Sequence, residues 1–215
     1  MSTREQSKVS VPIAFAHRLL APRLVCLIGS CSSTKERTWN VAPFSNVVVV
    51  SNVPQRVGIA IYKEGTTYNN ILALSEFTIN MPDDSLIEEL WLAGHNYNQL
   101  QYPRDLGKMD LLRLTSTAAT SISVPVVTEC FATLECRLIA SYDLGDHQFF
   151  VGDVLYASLR ADLQSPDWRL PLNRILPVLQ NSGNQLALPT ATRDLSTEQF
   201  QQELNSRVKA RRASF

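Results

Sequence analysis

Charged residues, histidines and cysteines are few in this chain of 215 residues, and each shortage excludes a class of protein. The 20 Lys and Arg residues balance 20 Asp and Glu residues, so no positive excess favours nucleic acid. The longest apolar region near the start, residues 13–29, contains His17, Arg18 and Arg23. A charge in hydrocarbon costs at least about 2.5 kcal/mol, so we expect no membrane-spanning helix there. The polar first ten residues also lack a signal-peptide pattern.

The four cysteines, Cys26, Cys31, Cys130 and Cys136, form no C-x-x-C pair, and no histidine stands at ligand spacing from them. We therefore expect free, mostly buried thiols of a reducing cytoplasm and no metal site, with zinc as the alternative. The even spacing of Cys130 and Cys136 would put both on one face of a strand. The chain also lacks a dinucleotide-binding glycine motif, a Walker loop, a G-x-S-x-G elbow and an H-E-x-x-H helix. A nucleotide-handling function would need another scaffold.

Short runs of β-branched and aromatic residues recur between turn signals, in a composition that is 45% hydrophobic. Two long strand-like runs, residues 128–144 and 147–162, flank a Gly145-Asp146 hairpin signal. The polar residues 95–124 predict a long loop. Helices are expected only after Thr66, Asp83 and Ser196, without regular alternation with strands. The pattern predicts a mainly β fold, a β-barrel with appended helices, rather than a doubly wound sheet.

The segment NVAPFS, Asn40 to Ser45, places Pro43 inside a run with strand character. Proline lacks the N–H that a central strand requires, so Pro43 predicts an edge strand or a bulge. Such a position exposes backbone N–H and C=O groups to which a flat polar ring can hydrogen-bond. Asn40 and Ser45 would add side-chain partners. A plain turn is the alternative interpretation.

The segment KEGTTYNNI, Lys63 to Ile71, stands between a predicted strand and a predicted helix. Thr66 and Thr67 place hydroxyls beside the helix N-terminal amides, Lys63 adds a positive charge, and Asn70 follows one turn later. A helix N-terminus with hydroxyls and a cation suits an anion such as phosphate. Simple helix capping by the threonines explains the same pattern.

His147 follows the predicted turn and has the carboxylate of Asp146 beside it. A histidine titrates near neutral pH and can hydrogen-bond a substrate in either protonation state. The competing interpretation is a polar residue that merely flanks a turn. Trp91, on the helix after Asp83, is expected to belong to the core rather than to stack on a cofactor.

Taken in order, these segments resemble the flavin reductase-like family, the FMN-binding split-barrel fold that includes flavoredoxin. The resemblance extends roughly from Leu24 to Pro189. It departs from the family at Gly65, because a basic residue often stands two positions before Thr67, and Lys63 or Thr66 would have to substitute. The matching stretches are NVAPFS, TTYNNI, EFTINMP, ECFATLECRLIASYDLGDHQFFVGDV and PVLQNSGNQLALP.

The resemblance implies a split β-barrel that binds FMN, with FAD as the less favoured flavin, near the interface of a homodimer. It implies electron transfer from NAD(P)H through the flavin to a small-molecule acceptor. His147 would contact the nicotinamide or substrate at the exposed face of the flavin. The residues expected to hold the ring, ribityl chain and phosphate are Asn40, Ala42, Pro43, Phe44, Ser45, Lys63, Thr66, Thr67 and Asn70.

These expectations divide the chain into an N-terminal extension (1–22), a split-barrel domain (23–190) and a C-terminal helix (191–215). Two other functions stay open. An FMN-binding electron carrier or tailoring protein without general reductase activity is suggested by the loop after Gly94, which could close the open face of the flavin. A barrel without a cofactor is suggested by Gly65. We expect a cytoplasmic protein with neither nucleic acid nor membrane as a partner.

Overall fold

A computed structural model describes residues 8–95, 108–191 and 196–212. The described part is mainly β, as predicted. The helices are α1 (Thr66–Leu74), α2 (Ile87–Ala93), α3 (Lys108–Leu111) and α4 (Thr197–Arg212), with 3-10 turns at Ile13–Leu20, Asp84–Leu86 and Ala161–Leu163. The strands are β1 (Arg23–Leu24), β2 (Cys26–Cys31), β3 (Trp39–Phe44), β4 (Val47–Asn52), β5 (Gln55–Tyr62), β6 (Glu76–Met81), β7 (Ser116–Thr117), β8 (Val126–Val127), β9 (Ala132–Leu144), β10 (His147–Leu159), β11 (Leu179–Ser182) and β12 (Gln185–Ala187).

Seven strands form one antiparallel sheet in the order β3-β2-β6-β9-β10-β5-β4. Its two edge strands, β3 and β4, are consecutive in the chain and are separated only by Ser45 and Asn46. The carbonyl of Asn46 accepts a hydrogen bond from the Ala60 N–H at 3.0 Å, which ties this link to β5. Because two residues join the opposite edges, the sheet has to curl back on itself as a barrel. Pro43 lies on the edge strand β3, as its missing N–H predicted.

Two hydrophobic clusters pack on opposite faces of β2, because successive strand residues point to opposite sides. Cys26 and Ile28 belong to the α1 cluster, which includes Ile71 of that helix. Val25 and Leu27 belong to the α2 cluster, which includes Leu90 and Ala93 of that helix. Full burial of one such aliphatic side chain stabilises the fold by about 1.5–3 kcal/mol. The two clusters fix where α1 and α2 sit relative to β3.

The long hairpin of β9 and β10 is confirmed, with Gly145 in the turn at a φ of 89°. Residues other than glycine rarely adopt this backbone conformation, which explains why glycine occupies this position. His147 is the first residue of β10 and pairs with Leu144 on β9 and with Tyr62 on β5. The hairpin therefore brings His147 to the end of β5, just before the connection to α1.

Three predictions about local structure were wrong. The expected loop over residues 95–124 contains α3 and β7 in its described part. The N-cap of α1 is Gly65, and neither Thr66 nor Thr67 caps the helix through its side chain. Cys130 precedes β9, so it does not share a strand with Cys136, because a turn separates β8 from β9. All four cysteines are unpaired and three of them are buried, as predicted.

The described terminal segments lie outside the seven-stranded sheet. The 3-10 helix Ile13–Leu20 contains no buried residue. The predicted C-terminal helix is present as α4. Phe200, Leu204 and Val208 stand at helical spacing and predict a one-sided apolar stripe, but their side chains lie outside the described residues. The division at residues 22 and 190 stays a prediction. None of the described helices combines the length and apolar character that a bilayer crossing requires.

Candidate functional site

The edge strand β3 presents its side chains alternately to α1 and to α2. Asn40 reaches α1, because its Nδ2 donates a hydrogen bond to the Thr67 Oγ1 at 3.1 Å. Pro43 lies on the other face, where a Cβ at Gly94 would stand 3.2 Å from its Cγ. The residues predicted around one flavin are therefore divided between two faces of a single strand.

The α1 face of β3 is a compact polar cluster. Asn70 Nδ2 donates to Ser30 Oγ at 3.1 Å, and Ser30 is paired with Asn40 across β2 and β3. Ser30, Thr67 and Asn70 are all buried. Their hydrogen bonds offset a desolvation cost of about 1–3 kcal/mol for each unsatisfied group. We name Ser30, Asn40, Thr67 and Asn70 the α1-face cluster.

The first turn of α1 contains Thr67, a member of this cluster. Because the N-cap Gly65 has no side chain, the N–H groups of the first turn receive no side-chain cap. Helix N-terminal amides carry a partial positive charge and favour an anion. Thr66 is exposed as the first residue of the helix. The arrangement suits an anionic group close to Thr67.

The α2 face of β3 borders a cavity of about 320 Å³. The Ser45 hydroxyl donates to Gln180 Oε1 at 2.5 Å, which closes one wall between β3 and β11. Trp91 forms part of another wall and is 49% exposed, so the prediction that it belongs to the core was wrong. It lies near the C-terminal end of α2, next to the cavity. The lining residues are Val25, Pro43, Phe44, Ser45, Leu90, Trp91, Gly94, His95, Gln180, Gly183, Asn184 and Leu186.

His95 has a fixed orientation at this cavity. Its Nδ1 lies 2.7 Å from the carbonyl oxygen of Trp91, and its ring meets the Trp91 ring edge-on at a centroid distance of 4.8 Å. A carbonyl oxygen can only accept a hydrogen bond, so Nδ1 carries the proton. The Nε2 atom is consequently the ring nitrogen available to a ligand.

His147 lies apart from both faces, at the tip of the β9–β10 hairpin. Its Nδ1 is 2.8 Å from Asp146 Oδ1, and this hydrogen bond lowers the pKa of the Asp146 carboxyl. The His147 ring meets Tyr62 edge-on at 5.8 Å. Lys63 donates to Asp143 Oδ1 at 2.6 Å, which lowers the pKa of Asp143. The Lys63 ammonium is therefore engaged with the hairpin.

Lys108 was not predicted as a site residue. Its Nζ donates to the Val41 carbonyl at 2.6 Å, so a cation from α3 contacts the backbone of β3. Burial lowers the pKa of Lys108 from 10.5 to about 8. No motif marked this residue, because it lies in the weakly patterned stretch between α2 and β7.

The structure thus brings the predicted residues together only in part. Asn40, Thr67 and Asn70 join one cluster, whereas Lys63 and His147 share the hairpin end. Pro43, Phe44 and Ser45 line the cavity, and Ala42 is half-buried on β3 opposite Ile28. The residues that sequence reasoning missed are Ser30, Trp91, His95, Lys108, Gln180 and Asn184.

Comparison with known sequences identifies the family. The profile of the family described as "Flavin reductase like domain" matches residues 18–179, so the chain belongs to that family. An uncharacterised protein of Archaeoglobus fulgidus is 34% identical over 119 residues, 55% of this chain; the match spans 64% of that protein, less than two thirds of its length. An uncharacterised protein of Pyrococcus abyssi is 32% identical over 139 residues, 65% of this chain and 75% of that protein.

Solved structures share the fold at low sequence identity. Nitrilotriacetate monooxygenase component B from Bacillus cereus superposes with a TM-score of 0.76 at 21% identity, covering 89% of this chain and 100% of that chain. A Shewanella frigidimarina protein with a split barrel domain gives 0.73 at 17% identity, covering 87% and 94%. The FMN-binding protein from Thermus thermophilus, solved with 1-cyclohex-2-enone, gives 0.70 at 17% identity, covering 91% and 100%. The predicted split-barrel fold is confirmed.

Proposed function

We propose that this member of the flavin reductase-like family binds FMN across the open edge of β3. In this proposal the protein is an oxidoreductase that passes electrons from NAD(P)H through the flavin to a small-molecule acceptor. The observation that carries the proposal is the 3.1 Å hydrogen bond from Asn40 to Thr67. It joins the strand predicted for the ring to the helix start predicted for the phosphate.

The phosphate fits the start of α1. The uncapped amides of the first turn and the hydroxyls of Thr66 and Thr67 would donate to phosphate oxygens. Asn40 and Asn70 would hold Thr67 and the floor of the site in place through the bonds they already make. Lys63 would add long-range attraction from the hairpin end. This donor set matches a phosphate monoester, which supports FMN over a flavin without phosphate.

The ring fits the other end of β3. Five residue steps separate Asn40 from Ser45, about 17 Å at roughly 3.3 Å per residue, which is comparable to an extended FMN. Ala42, Pro43 and Phe44 would contact the ring, and Ser45 would hydrogen-bond its polar edge. FMN supplies two-electron redox chemistry when bound, while the protein supplies binding and orientation. FAD would need room for a second nucleotide and is the alternative flavin.

We propose that His147 contacts the nicotinamide. It lies beside the start of α1, at the phosphate end of the FMN site proposed in its own chain, so in the proposed homodimer this contact would be made across the subunit interface. Its Nδ1 is held by Asp146, so its Nε2 is free to meet a carboxamide. Hydride transfer itself needs no base from the protein. Binding and orientation of the dinucleotide are the role we assign to His147.

The proposed assembly is a homodimer. Val48, Val49 and Val50 of the edge strand β4 are 51%, 59% and 43% exposed. Consecutive strand residues point to opposite faces, so the described residues of one chain cover neither face of this edge. A large apolar patch that stays exposed marks an association surface. The unpaired cysteines support a cytoplasmic location.

The absorption spectrum of the freshly purified protein tests cofactor binding. We expect a yellow protein that releases FMN on denaturation, with one flavin per chain. A colourless protein that takes up neither FMN nor FAD would refute the proposal. Stopped-flow mixing with NADH or NADPH then separates a reductase, which bleaches rapidly, from a carrier or tailoring protein, which does not.

Light scattering tests the dimer. Lys in place of Val49 should convert the protein to a monomer, because a charge would have to be buried in the apolar interface. Lys in place of the exposed Gln55, next to the same edge, is the matched control. A monomeric wild-type protein, or a dimeric Val49→Lys variant, would contradict the assignment of β4.

A further inference from the structure

We propose that the cavity on the α2 face of β3 binds an uncharged planar aromatic carbonyl compound of the quinone type. This compound would be the acceptor of the flavin electrons. The inference rests on the proposed function, since it names the class of molecule that the reduced flavin serves. Three features of the cavity support the proposal: its lack of charged lining residues, its aromatic wall and its hydrogen-bonding groups without a described partner.

The described lining of the cavity carries no charged side chain. None of the twelve described residues that line the cavity is Asp, Glu, Lys or Arg. A phosphate, sulfonate or ammonium group placed there would lose its hydration without gaining an ionic partner, which costs several kcal/mol or more. The nicotinamide dinucleotide, with its diphosphate, is therefore a poor occupant. An uncharged molecule is favoured.

The cavity is shaped for a ring. Its volume of about 320 Å³ lies at the small end of ligand sites, which run from about 300 to 1,000 Å³. Pro43, Trp91 and Leu186 contribute apolar and aromatic surface to its lining. Trp91 lines the cavity and is 49% exposed, so much of its indole surface is not packed against the rest of the described protein. An exposed indole at a cavity wall is available to stack on a ligand.

Two polar groups remain for the guest. Gln180 is engaged, because its Oε1 accepts from Ser45 and its Nε2 donates to the Gly183 carbonyl at 3.1 Å. Asn184, by contrast, makes no side-chain hydrogen bond to any described residue, and its amide can donate to a carbonyl oxygen. His95 presents Nε2, which donates when the ring is protonated and accepts when it is neutral.

The position of the cavity fits an acceptor. Pro43, Phe44 and Ser45 are shared between its wall and the proposed flavin ring site. Reduction of a quinone to a hydroquinone consumes two electrons and two protons. When bound, reduced FMN would supply both electrons and one proton as a hydride and would itself be oxidised. Solvent would supply the second proton, and His95 would pass it to the hydroquinone oxygen.

The test is calorimetric titration of menadione into oxidised, FMN-loaded protein, in which no turnover occurs. We compare Trp91→Leu with Trp168→Leu, because Trp168 is 67% exposed and lies outside the cavity lining. Trp91→Leu should weaken menadione binding by about tenfold through lost stacking, with unchanged FMN content and melting temperature. Trp168→Leu should bind as wild type does.

Any one of three outcomes would overturn the inference. The first is that menadione does not bind, and the second is that anthraquinone-2-sulfonate binds as tightly as menadione. The third is that the Trp91→Leu variant loses FMN while it still binds menadione. The last result would mean that the flavin ring itself occupies the cavity. FMN content is read from the absorption spectrum, so a failure of the proposed cofactor is distinguished from a failure of the acceptor site.

Discussion

The two faces of β3 carry similar polar side chains but use them differently. On the α1 face, Asn40 donates to Thr67, and Asn70 donates to Ser30 beneath them. On the α2 face, Ser45 is tied to Gln180, but Asn184 and the Nε2 of His95 have no described partner. On one face the polar side chains are hydrogen-bonded to each other in two pairs, and on the other face two polar groups beside a cavity have no described partner.

The difference separates stability from recognition. A buried polar group with its partners in place is costly to disturb, because a change leaves the other partner unsatisfied. A polar group that faces a cavity with spare hydrogen bonds costs the fold little and is available to a ligand. Changes in the α1-face cluster should therefore lower the stability and the flavin affinity together, whereas changes in the residues that line the cavity should alter binding alone.

The largest effect is expected at Lys108, which reaches β3 from the α2 side. The pKa of Lys108 is lowered from 10.5 to about 8 in the folded protein. As the pH rises, the native state therefore releases this proton before the unfolded state does. Stability should therefore rise with pH between these two values, by at most about 3 kcal/mol. Lys108→Met should abolish this rise, as measured by urea unfolding from pH 7 to 10.5.

The comparison with Lys108→Met is necessary because other groups titrate in the same range. Burial raises the pKa of the Cys26 thiol from 9.0 to about 12, so the unfolded chain loses this proton first. The free energy of unfolding therefore falls as the pH rises above 9.0. Both proteins share this loss, so it cancels in the difference. If the free energy of unfolding changed with pH in the same way for both proteins, burial would not lower the pKa of Lys108.

The next effect concerns the α1-face cluster. Asn70→Leu should cost about 1–3 kcal/mol, because it leaves the buried Ser30 hydroxyl without its partner. It should also prevent the retention of FMN during purification. The double variant Ser30→Ala/Asn70→Leu should recover most of the stability, since both polar groups are gone, but not the flavin. Recovery of FMN by the double variant would show that Asn70 has only a structural role.

A smaller effect is expected at His147, which lies on neither face of β3. His147→Ala should raise the KM for the nicotinamide by up to about tenfold, because a tenfold change corresponds to the free energy of about one hydrogen bond. The FMN content should stay unchanged. Asp146→Asn is the matched control, since it keeps the imidazole and removes its charged neighbour. Loss of FMN from His147→Ala would place this residue in the flavin site instead.

The smallest effect on stability is expected at Gly94. Its φ of −77° is ordinary for any residue, so alanine gains up to about 1 kcal/mol by restricting the unfolded chain. The new Cβ would press on Pro43 at 3.2 Å, which offsets this gain and shifts one wall of the cavity. We expect an unchanged melting temperature and weaker menadione binding. Equal menadione affinity would show that the Pro43 wall is not rigid.

Local chemistry explains what could be predicted from sequence. Pro43 predicted an edge strand because proline lacks an N–H, and β3 is an edge. Gly145-Asp146 predicted the hairpin because glycine tolerates a positive φ. The N-cap prediction at Thr66 and Thr67 was wrong for a tertiary reason. The Thr67 hydroxyl accepts a hydrogen bond from Asn40, 27 positions earlier in the chain, rather than capping its own helix.

The cavity could not be predicted from any local pattern. Ser45 and Gln180 are 135 positions apart, and neither stands in a motif that names the other. Trp91 has the spacing of an amphipathic helix, which is also the spacing of a core residue. Its partial exposure depends on where α2 ends against Pro43, a contact between distant segments.

By itself the sequence determined the mainly β architecture, the edge position of β3, the β9–β10 hairpin and the family. Each of these depends on the backbone preferences of neighbouring residues or on the order of short motifs. Only the tertiary structure decided which polar side chains are satisfied by each other and which are left facing a cavity. That division depends on distances between segments far apart in the chain, and packing of α1 and α2 against opposite faces of one strand sets those distances.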